Sequence, residues 1–253
     1  MMKIYNKAIY KEQFLEEYKG NPLIEALPTV LEPQEVAKKM AYYPPFSDEE
    51  RLLPMHEKQY VVKRLMNLFQ PFPTNIDLYY SVDRLIRNGY INRNPCTKEY
   101  AQSFHQMNEY AISNEHYLMQ TLSIIGISGI GKTRSIQQIF SLYPQVITHE
   151  SYRGKPLIMQ QVVYLTVEMP FDGSVKSFLI NIMTAIDQLL GTEYIARYAR
   201  SPLSTSQLMP IIGQVLKSLN CGVIICEELQ HLMNVRRTNS NQILSFLTAI
   251  VNI

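Results

Sequence analysis

One eight-residue segment constrains this chain more than any other feature. Residues 126–133 read Gly-Ile-Ser-Gly-Ile-Gly-Lys-Thr, and an apolar run from Leu122 to Gly126 leads into them. An amphipathic stretch, Arg134 to Ser141, follows. Glycines permit a tight loop whose successive backbone N–H groups point inward at anionic oxygens. The segment therefore predicts a strand, a phosphate-binding loop and a helix, which is the context of a P-loop, or Walker A motif.

The residue types in this loop fit a nucleoside triphosphate, and we expect ATP. Lys132 would reach the β- and γ-phosphates as a point charge, and the Thr133 hydroxyl would be a ligand for Mg²⁺. ATP and Mg²⁺ are thus the predicted cofactors. We expect nucleotide contacts from the whole loop and the first residue after it: Gly126, Ile127, Ser128, Gly129, Ile130, Gly131, Lys132, Thr133 and Arg134.

A second carboxylate site is predicted about a hundred residues later. The apolar run Val223 to Cys226 ends in Glu227 and Glu228, as in a Walker B motif. Glu227 takes the place usually held by Asp and would hold Mg²⁺, often through water. Glu228 takes the place of the general base that polarises the attacking water. The alternative is a buried strand that happens to end in two solvated acids.

From residue 121 onward, strands and helices alternate. Apolar runs predict buried strands at Leu122–Gly126, Gln161–Val167 and Val223–Cys226, and helical spacing predicts helices at 134–141, 174–190, 205–219 and 241–252. Such alternation implies an α/β fold with a parallel sheet flanked by helices. We therefore expect the P-loop NTPase fold for residues 121–253.

The first part of the chain has a different composition. Residues 1–75 are rich in Pro and Tyr, which favours an arm of extended pieces and short helices at 11–18, 33–41 and 57–69. This arm would drape over a partner or over the core of its own chain. Residues 76–120 form a predicted helical lead-in, with a helix from Asp77 to Arg87 and a turn at Asn88–Gly89.

Bulk composition excludes several classes of protein. The chain has three cysteines and no Cys-x-x-Cys, which argues against a disulfide framework and a zinc ribbon and favours a reduced, cytoplasmic setting. No apolar run approaches the roughly 20 residues that span a bilayer, so no membrane is expected as a partner. The net charge of +2 leaves DNA binding open.

In its two Walker motifs and in several other segments, the chain resembles the TnsC family. These are AAA+ ATPases that regulate target selection in TnsABC-type transposons. The resemblance to MuB, TniB and IstB is more remote. The Walker motifs alone are shared by many ATPases. Two other segments, Tyr18–Pro28 and Gly89–Pro95, are more specific. The remaining matching pieces are Tyr143–Ile147, Gln161–Leu165, Glu227–Leu232, Phe246–Leu247 and Val251–Ile253.

The resemblance implies a function and partners. Members of the family assemble with ATP as homo-oligomers on DNA, receive a signal from a target-selection protein and recruit or activate transposase subunits. Hydrolysis releases the assembly. The N-terminal arm would face the target selector, in a bacterial cytoplasm.

The resemblance also implies missing parts. In the AAA+ sheet the strand order is 5-1-4-3-2, and this chain ends at Ile253, just before the sensor 1 strand should begin. We therefore expect sensor 1, the fifth strand, the arginine finger and the helical lid to be absent, leaving a gap in the sheet. The chain would be a truncated copy, a split gene product or a fragment, for which phosphate binding is a safer expectation than hydrolysis. Two other hypotheses remain: a nucleotide-binding scaffold without turnover, and a small-molecule kinase of the P-loop type.

Several basic residues are candidate DNA contacts, with a solvated surface as the alternative: Arg153, Lys155, Lys176, Arg236 and Arg237. Glu168, at the end of the second predicted strand, could sense the γ-phosphate or only end the strand. A lone His231 is expected to be a packing or capping residue and not a metal ligand. The tyrosines of the arm are as compatible with core packing as with an interface.

Overall fold

The computed structural model describes residues 5–98, 100, 121–199, 203–234 and 243. The chain divides into two compact units. The first unit comprises Met1–Pro28, Leu85–Ser123 and Pro144–Ile253, and the second comprises Thr29–Arg84 and Ile124–Tyr143. The three-part division at residues 75 and 120 stays a prediction.

The described elements are short helices at the start and an α/β succession later. The strands are β1 Tyr5–Lys7, β2 Val146–Tyr152, β3 Lys155–Val162, β4 Tyr164–Glu168 and β5 Val223–Glu227. The α-helices are α1 Pro22–Glu25, α2 Pro33–Met40, α3 Met55–Lys63, α4 Pro73–Ile91, α5 Lys132–Phe140, α6 Val175–Leu190 and α7 Thr205–Ser218. Single 3-10 turns or helices lie at Glu16–Tyr18, Asp48–Leu52, Arg64–Asn67 and Leu229–Asn234, and a π-helix at Ile195–Ala199.

Two small sheets build the first unit. In one, β1 runs parallel to β2, and β2 pairs with β3 in an antiparallel hairpin. The hairpin turns at Arg153 and Gly154, whose φ angles are 48° and 77°. Two successive positive φ values define a type I′ turn, which matches the twist of a hairpin. In the other sheet β4 and β5 run parallel, with Val167 opposite Cys226.

The core of the first unit lies between β4 and two helices. On α6, Phe178, Leu179, Ile182 and Ile186 are buried at helical spacing. Leu208, Ile212 and Leu216 of α7 join the same cluster. The predicted bounds of α6 are confirmed, because the Ser174 side chain caps its start and Gly191, with φ of 72°, ends it. Parallel strands flanked by helices confirm the predicted α/β class.

The predicted strand Leu122–Gly126 is wrong. Residues 121–127 have no regular secondary structure, and the Ile125 side chain is 95% exposed. A strand of this length persists only when a neighbouring strand pairs with its backbone groups. In the described part of the chain, no strand pairs with these residues.

Two further predictions fail for tertiary reasons. The strand predicted at Gln161–Val167 is two strands, because β3 ends at Val162 and the N–H of Val163 donates to the Gln145 carbonyl at 2.9 Å. The turn predicted at Asn88–Gly89 lies inside α4, which continues to Ile91. There the Asn88 side chain accepts a hydrogen bond from Tyr18 at 3.1 Å, so a tertiary contact outweighs the local turn signal.

The arm contains the helical and extended pieces that its composition predicts. The helix predicted at 33–41 is confirmed as α2, and the one at 57–69 is α3 followed by a 3-10 segment. The helix predicted at 11–18 is wrong apart from Glu16–Tyr18. The N–H of Lys11 donates to the Glu25 carbonyl at 2.8 Å, and residues 11–15 have no regular secondary structure. The helix predicted at 241–252 lies outside the described residues, apart from Ile243.

The second unit contains α2, α3 and α5 together with the first residues of α4. Tyr143, just after α5, donates to Asp83 of α4 at 2.8 Å, and its ring lies 6.2 Å from that of Tyr79. These contacts fix the helix that follows the glycine-rich loop. Among all described helices, none combines the length and apolarity that crossing a bilayer requires.

Candidate nucleotide-binding site

The glycine-rich loop runs directly into α5, as predicted. Gly129 and Gly131 have φ of 80° and 91°, and Gly131 is the N-cap of α5. An L-residue is strained at such angles, so the loop requires glycine at both positions. The first N–H groups of a helix have no intrahelical acceptor and the helix dipole favours negative charge there, so this end of α5 suits an anion.

Lys132 extends back along the loop. Its ammonium donates to the carbonyl of Gly126 at 2.7 Å and to that of Ile127 at 3.0 Å. Thr133 is exposed in the first turn of α5. A cation, a hydroxyl and free helix N–H groups beside one open loop are the donor set that a magnesium-bound triphosphate needs. The residues therefore fit the predicted cofactors.

Side chains that the motif does not include hold α5 in place. Asn75, near the start of α4, donates to Ser135 at 2.9 Å, and Ser135 donates to the Gly131 carbonyl at 3.0 Å. The guanidinium of Arg134 donates to the Asn67 carbonyl at 2.9 Å. A nucleotide contact by the Arg134 backbone stays a prediction. Sequence reasoning missed Asn67 and Asn75, since they lie about 60 residues before the loop.

The two acids lie at the end of β5. Glu227 stands opposite Glu168 in the ladder, and its carbonyl accepts from the N–H of Met169 at 3.0 Å. The strand is predicted to be buried, whereas every residue of β5 is half-buried. Among the described strands, β4 is the one that pairs with β5.

Glu228 begins a short turn. Its φ is 56°, in the left-handed region. Its carboxylate oxygen Oε2 accepts a hydrogen bond from the amide of Gln230, and its carbonyl accepts from the N–H of His231 at 3.0 Å. The loop belongs to the second unit and the acids to the first, so each half of the predicted site is defined within its own unit.

The predicted DNA contacts have different surroundings. Arg153 donates to Glu25 at 3.1 Å and lies over the Tyr152 ring, while its side chain stays 65% exposed. Lys155 is exposed beside the hairpin turn, and Lys176 donates to the Leu203 carbonyl at 3.2 Å. Arg236 and Arg237 lie outside the described residues. DNA contact stays a prediction for all five.

His231, Glu168 and the two cysteines near β5 have contacts or burial that the structure defines. His231 donates from Nδ1 to the Met169 carbonyl at 3.1 Å, and the described residues contain no group of three or more His, Cys, Asp or Glu that could hold a metal ion. The carbonyl of Glu168 accepts from Asn181 at 2.9 Å, and its γ-phosphate sensing stays a prediction. Burial raises the pKa of Cys221 to about 12 and that of Cys226 to about 11, so both thiols stay protonated at neutral pH.

The segments 18–28 and 89–95, which are the most specific to the family resemblance, make hydrogen bonds that connect parts of the first unit. Asn21 caps α1 by accepting from the N–H of Leu23 at 3.0 Å, and it donates to the Tyr90 carbonyl at 2.7 Å. Tyr90 donates to the Asn220 carbonyl at 2.9 Å, and Arg93 donates to that of Cys221 at 2.7 Å. The segments 18–28 and 89–95 therefore meet each other and the residues just before β5.

The parallel α/β architecture and the loop leading into α5 define a P-loop NTPase. A sequence model described as an AAA domain matches residues 118–253, more than half of the chain. The chain therefore belongs to the AAA domain family of P-loop ATPases. No curated protein matches the chain in a sequence comparison.

Proposed function

We propose that this chain binds ATP with Mg²⁺ in the loop 126–133, that Glu228 promotes its hydrolysis, and that the chain acts as a regulator of DNA transposition. The observation that carries the nucleotide part is the glycine loop capping α5, with the Lys132 ammonium held against the loop carbonyls, in a member of the AAA family.

The residues divide the chemistry between them. Lys132 and the N-terminal end of α5 bind the phosphates. Thr133 and Glu227 are the residues that would hold Mg²⁺, which neutralises phosphate charge when bound. Glu228, exposed after β5, accepts a proton from the attacking water. Lys132 leaves the loop carbonyls and turns its ammonium toward the phosphates when they bind.

The transposition part rests on the resemblance of segments Tyr18–Pro28 and Gly89–Pro95 to the TnsC family. In the proposal the chain assembles on DNA as a homo-oligomer, and Arg153 and Lys155 at the hairpin turn contact phosphates. An exposed set of apolar residues in the second unit supports an arm that binds a target-selection protein or a transposase subunit. Its members are Tyr43, Phe46, Leu52, Met55, Tyr60, Leu65, Met66 and Phe72.

The experiment measures ATP affinity and hydrolysis, each with and without double-stranded DNA. We expect Lys132→Ala to abolish ATP binding. Glu228→Gln should keep ATP binding and abolish hydrolysis, because an amide cannot accept the proton of water. Lys155→Ala should keep ATP binding and weaken association with DNA, with a smaller dependence on salt.

The outcomes separate the competing functions. DNA-stimulated hydrolysis fits a transposition regulator, whereas ATP binding without turnover indicates a nucleotide-binding scaffold. Transfer of the γ-phosphate to a metabolite indicates a small-molecule kinase. Undiminished turnover in Glu228→Gln would show that the general base is another residue.

A further inference from the structure

Glu228 has a backbone conformation that its residue type does not favour. Three described non-glycine residues have positive φ: Arg153, Asn220 and Glu228. Arg153 occupies a type I′ turn, which requires this conformation. Asn220 belongs to the residue type that tolerates it best, and its side chain accepts from Tyr100 at 2.5 Å. Glu228 has neither reason, and such strain persists only where surrounding contacts over-determine the conformation.

The turn after Glu228 is fastened to the end of β4. His231 donates from its backbone N–H to the Glu228 carbonyl at 3.0 Å and from Nδ1 to the Met169 carbonyl at 3.1 Å. Met169 in turn donates to the Glu227 carbonyl at 3.0 Å, and it is buried. These three bonds form a closed connection that fixes the backbone of Glu228 relative to the neighbouring strand.

The side chain of Glu228 is fixed by a separate contact. The amide nitrogen of Gln230 donates to Oε2 of Glu228. Both side chains are exposed, and the Gln230 amide is the partner that the described residues provide for this carboxylate. A carboxylate has two oxygens, and one oxygen bound to an amide leaves the other to accept from water.

We propose that Gln230 is a positioning residue for the hydrolysis reaction: its amide holds one oxygen of Glu228 so that the other faces the attacking water. The inference rests on the proposed role of Glu228 as the general base. Gln230 does not take part in proton transfer. Gln230 keeps the base in one rotamer. This raises the fraction of ATP-bound molecules in which the Glu228 carboxylate is correctly placed for the reaction.

The test compares Gln230→Met with Gln214→Met in the full chain. Methionine is similar in length to glutamine and has no N–H donor, and Gln214 is an exposed residue of α7 in the same unit. We expect Gln230→Met to lower kcat roughly 10- to 100-fold, with KM and the ATP Kd unchanged. Gln214→Met should leave all three unchanged. Gln230→Lys, which restores a donor of similar length, should recover part of the kcat.

A second measurement does not depend on turnover. With ¹⁵N-labelled glutamine, the side-chain amide signal that disappears in Gln230→Met identifies Gln230. Glu228→Ala should shift that signal and leave the signal of Gln214 in place. An unshifted Gln230 signal would overturn the inference, because it would mean that the two side chains are not bonded.

The kinetic outcomes distinguish this inference from the proposed function. No hydrolysis by the unaltered chain would overturn the proposed turnover and this inference with it. Hydrolysis that is lost in Glu228→Gln and kept in Gln230→Met would overturn this inference alone. An equal loss of ATP affinity and kcat in Gln230→Met, without recovery in Gln230→Lys, would also overturn it, because the residue would then be a structural support.

Discussion

At the scale of single residues, a buried histidine ties three segments of the first unit together. His149 is fully buried, with Nδ1 at 2.9 Å from the Tyr10 hydroxyl and Nε2 at 3.0 Å from Oε1 of Gln161. The amide nitrogen of Gln161 donates to the Leu23 carbonyl at 2.9 Å, so its oxygen must be the acceptor for His149. His149 therefore carries its proton on Nε2 and accepts from Tyr10 at Nδ1.

This arrangement predicts a fold that loses stability in mild acid. Burial lowers the pKa of His149 below its ordinary value of 6.5, although the bond to Gln161 opposes the shift. The unfolded chain therefore binds a proton before the folded chain does. As pH falls from 6.5 toward the folded pKa, the free energy of unfolding should fall by at most about 1.4 kcal/mol per pH unit.

Urea unfolding midpoints at pH 7.5, 6.5 and 5.5 measure this loss. His149→Gln removes the titrating group and should flatten the dependence between pH 6.5 and 5.5, whatever its effect at pH 7.5. An equally steep loss in that variant would assign the acid sensitivity to another group.

A second residue-scale prediction concerns Gly222, just before β5. A Cβ atom built there would lie 2.5 Å from the Val163 carbonyl oxygen and 2.5 Å from the Tyr90 hydroxyl. The Val163 carbonyl belongs to the backbone between β3 and β4 and cannot move aside cheaply. Gly222→Ala should cost about 1–3 kcal/mol or more, as overpacking does. Thermal melting measures the loss, and Tyr90→Phe added to it should give no rescue, because Val163 remains in contact.

At the scale of elements, the turn between β2 and β3 depends on Gly154. Its φ of 77° is in the left-handed region, and no atom lies within 4 Å of a built Cβ. Gly154→Ala should therefore cost only the conformational strain of an L-residue, about 1–2 kcal/mol, with no clash. In the same melting assay, we expect Gly154→Ala to lose less stability than Gly222→Ala. The reverse order would mean that the turn conformation, and not the close packing at Gly222, limits stability.

The elements that the sequence predicts correctly have local causes. The bounds of α6 follow from a serine cap, an apolar stripe and a terminal glycine, all adjacent in the chain. The glycine loop before α5 is likewise local. The strand at Leu122–Gly126 and the turn at Asn88–Gly89 were predicted wrongly because pairing and side-chain contacts with distant residues decide them. For the same reason the motif identifies Lys132 as a site residue, but no local pattern indicates that Asn75 anchors Ser135.

At the scale of the whole chain, residues far from the matched AAA region complete the first unit. The segment 21–28 contributes Leu23 and Ile24, both fully buried. Glu25 accepts from Tyr152 at 2.8 Å and from Arg153 at 3.1 Å. The N-terminal arm therefore supplies part of the core on which the hairpin rests.

The burial of the segment 21–28 predicts that truncating a single side chain in it destabilises the first unit. Ile24→Ala should cost about 2–5 kcal/mol, as a buried large-to-small change does. Ile9→Ala, the same change at a position that is 71% exposed, should stay within about 0.5 kcal/mol of the unaltered chain. Denaturant unfolding compares them, and equal losses would contradict a core role for the segment 21–28.

The pairing of β1 with β2 has a consequence for synthesis. Tyr5 lies opposite Val146 in a parallel ladder, so β1 cannot pair until a strand about 140 residues later has been translated. At about 5–20 residues per second, that delay is on the order of ten seconds. Contacts between residues so distant in sequence form slowly. During this interval Leu23, Ile24 and Leu27 face solvent on a nascent chain, so holding by a ribosome-associated chaperone should raise the yield of folded protein.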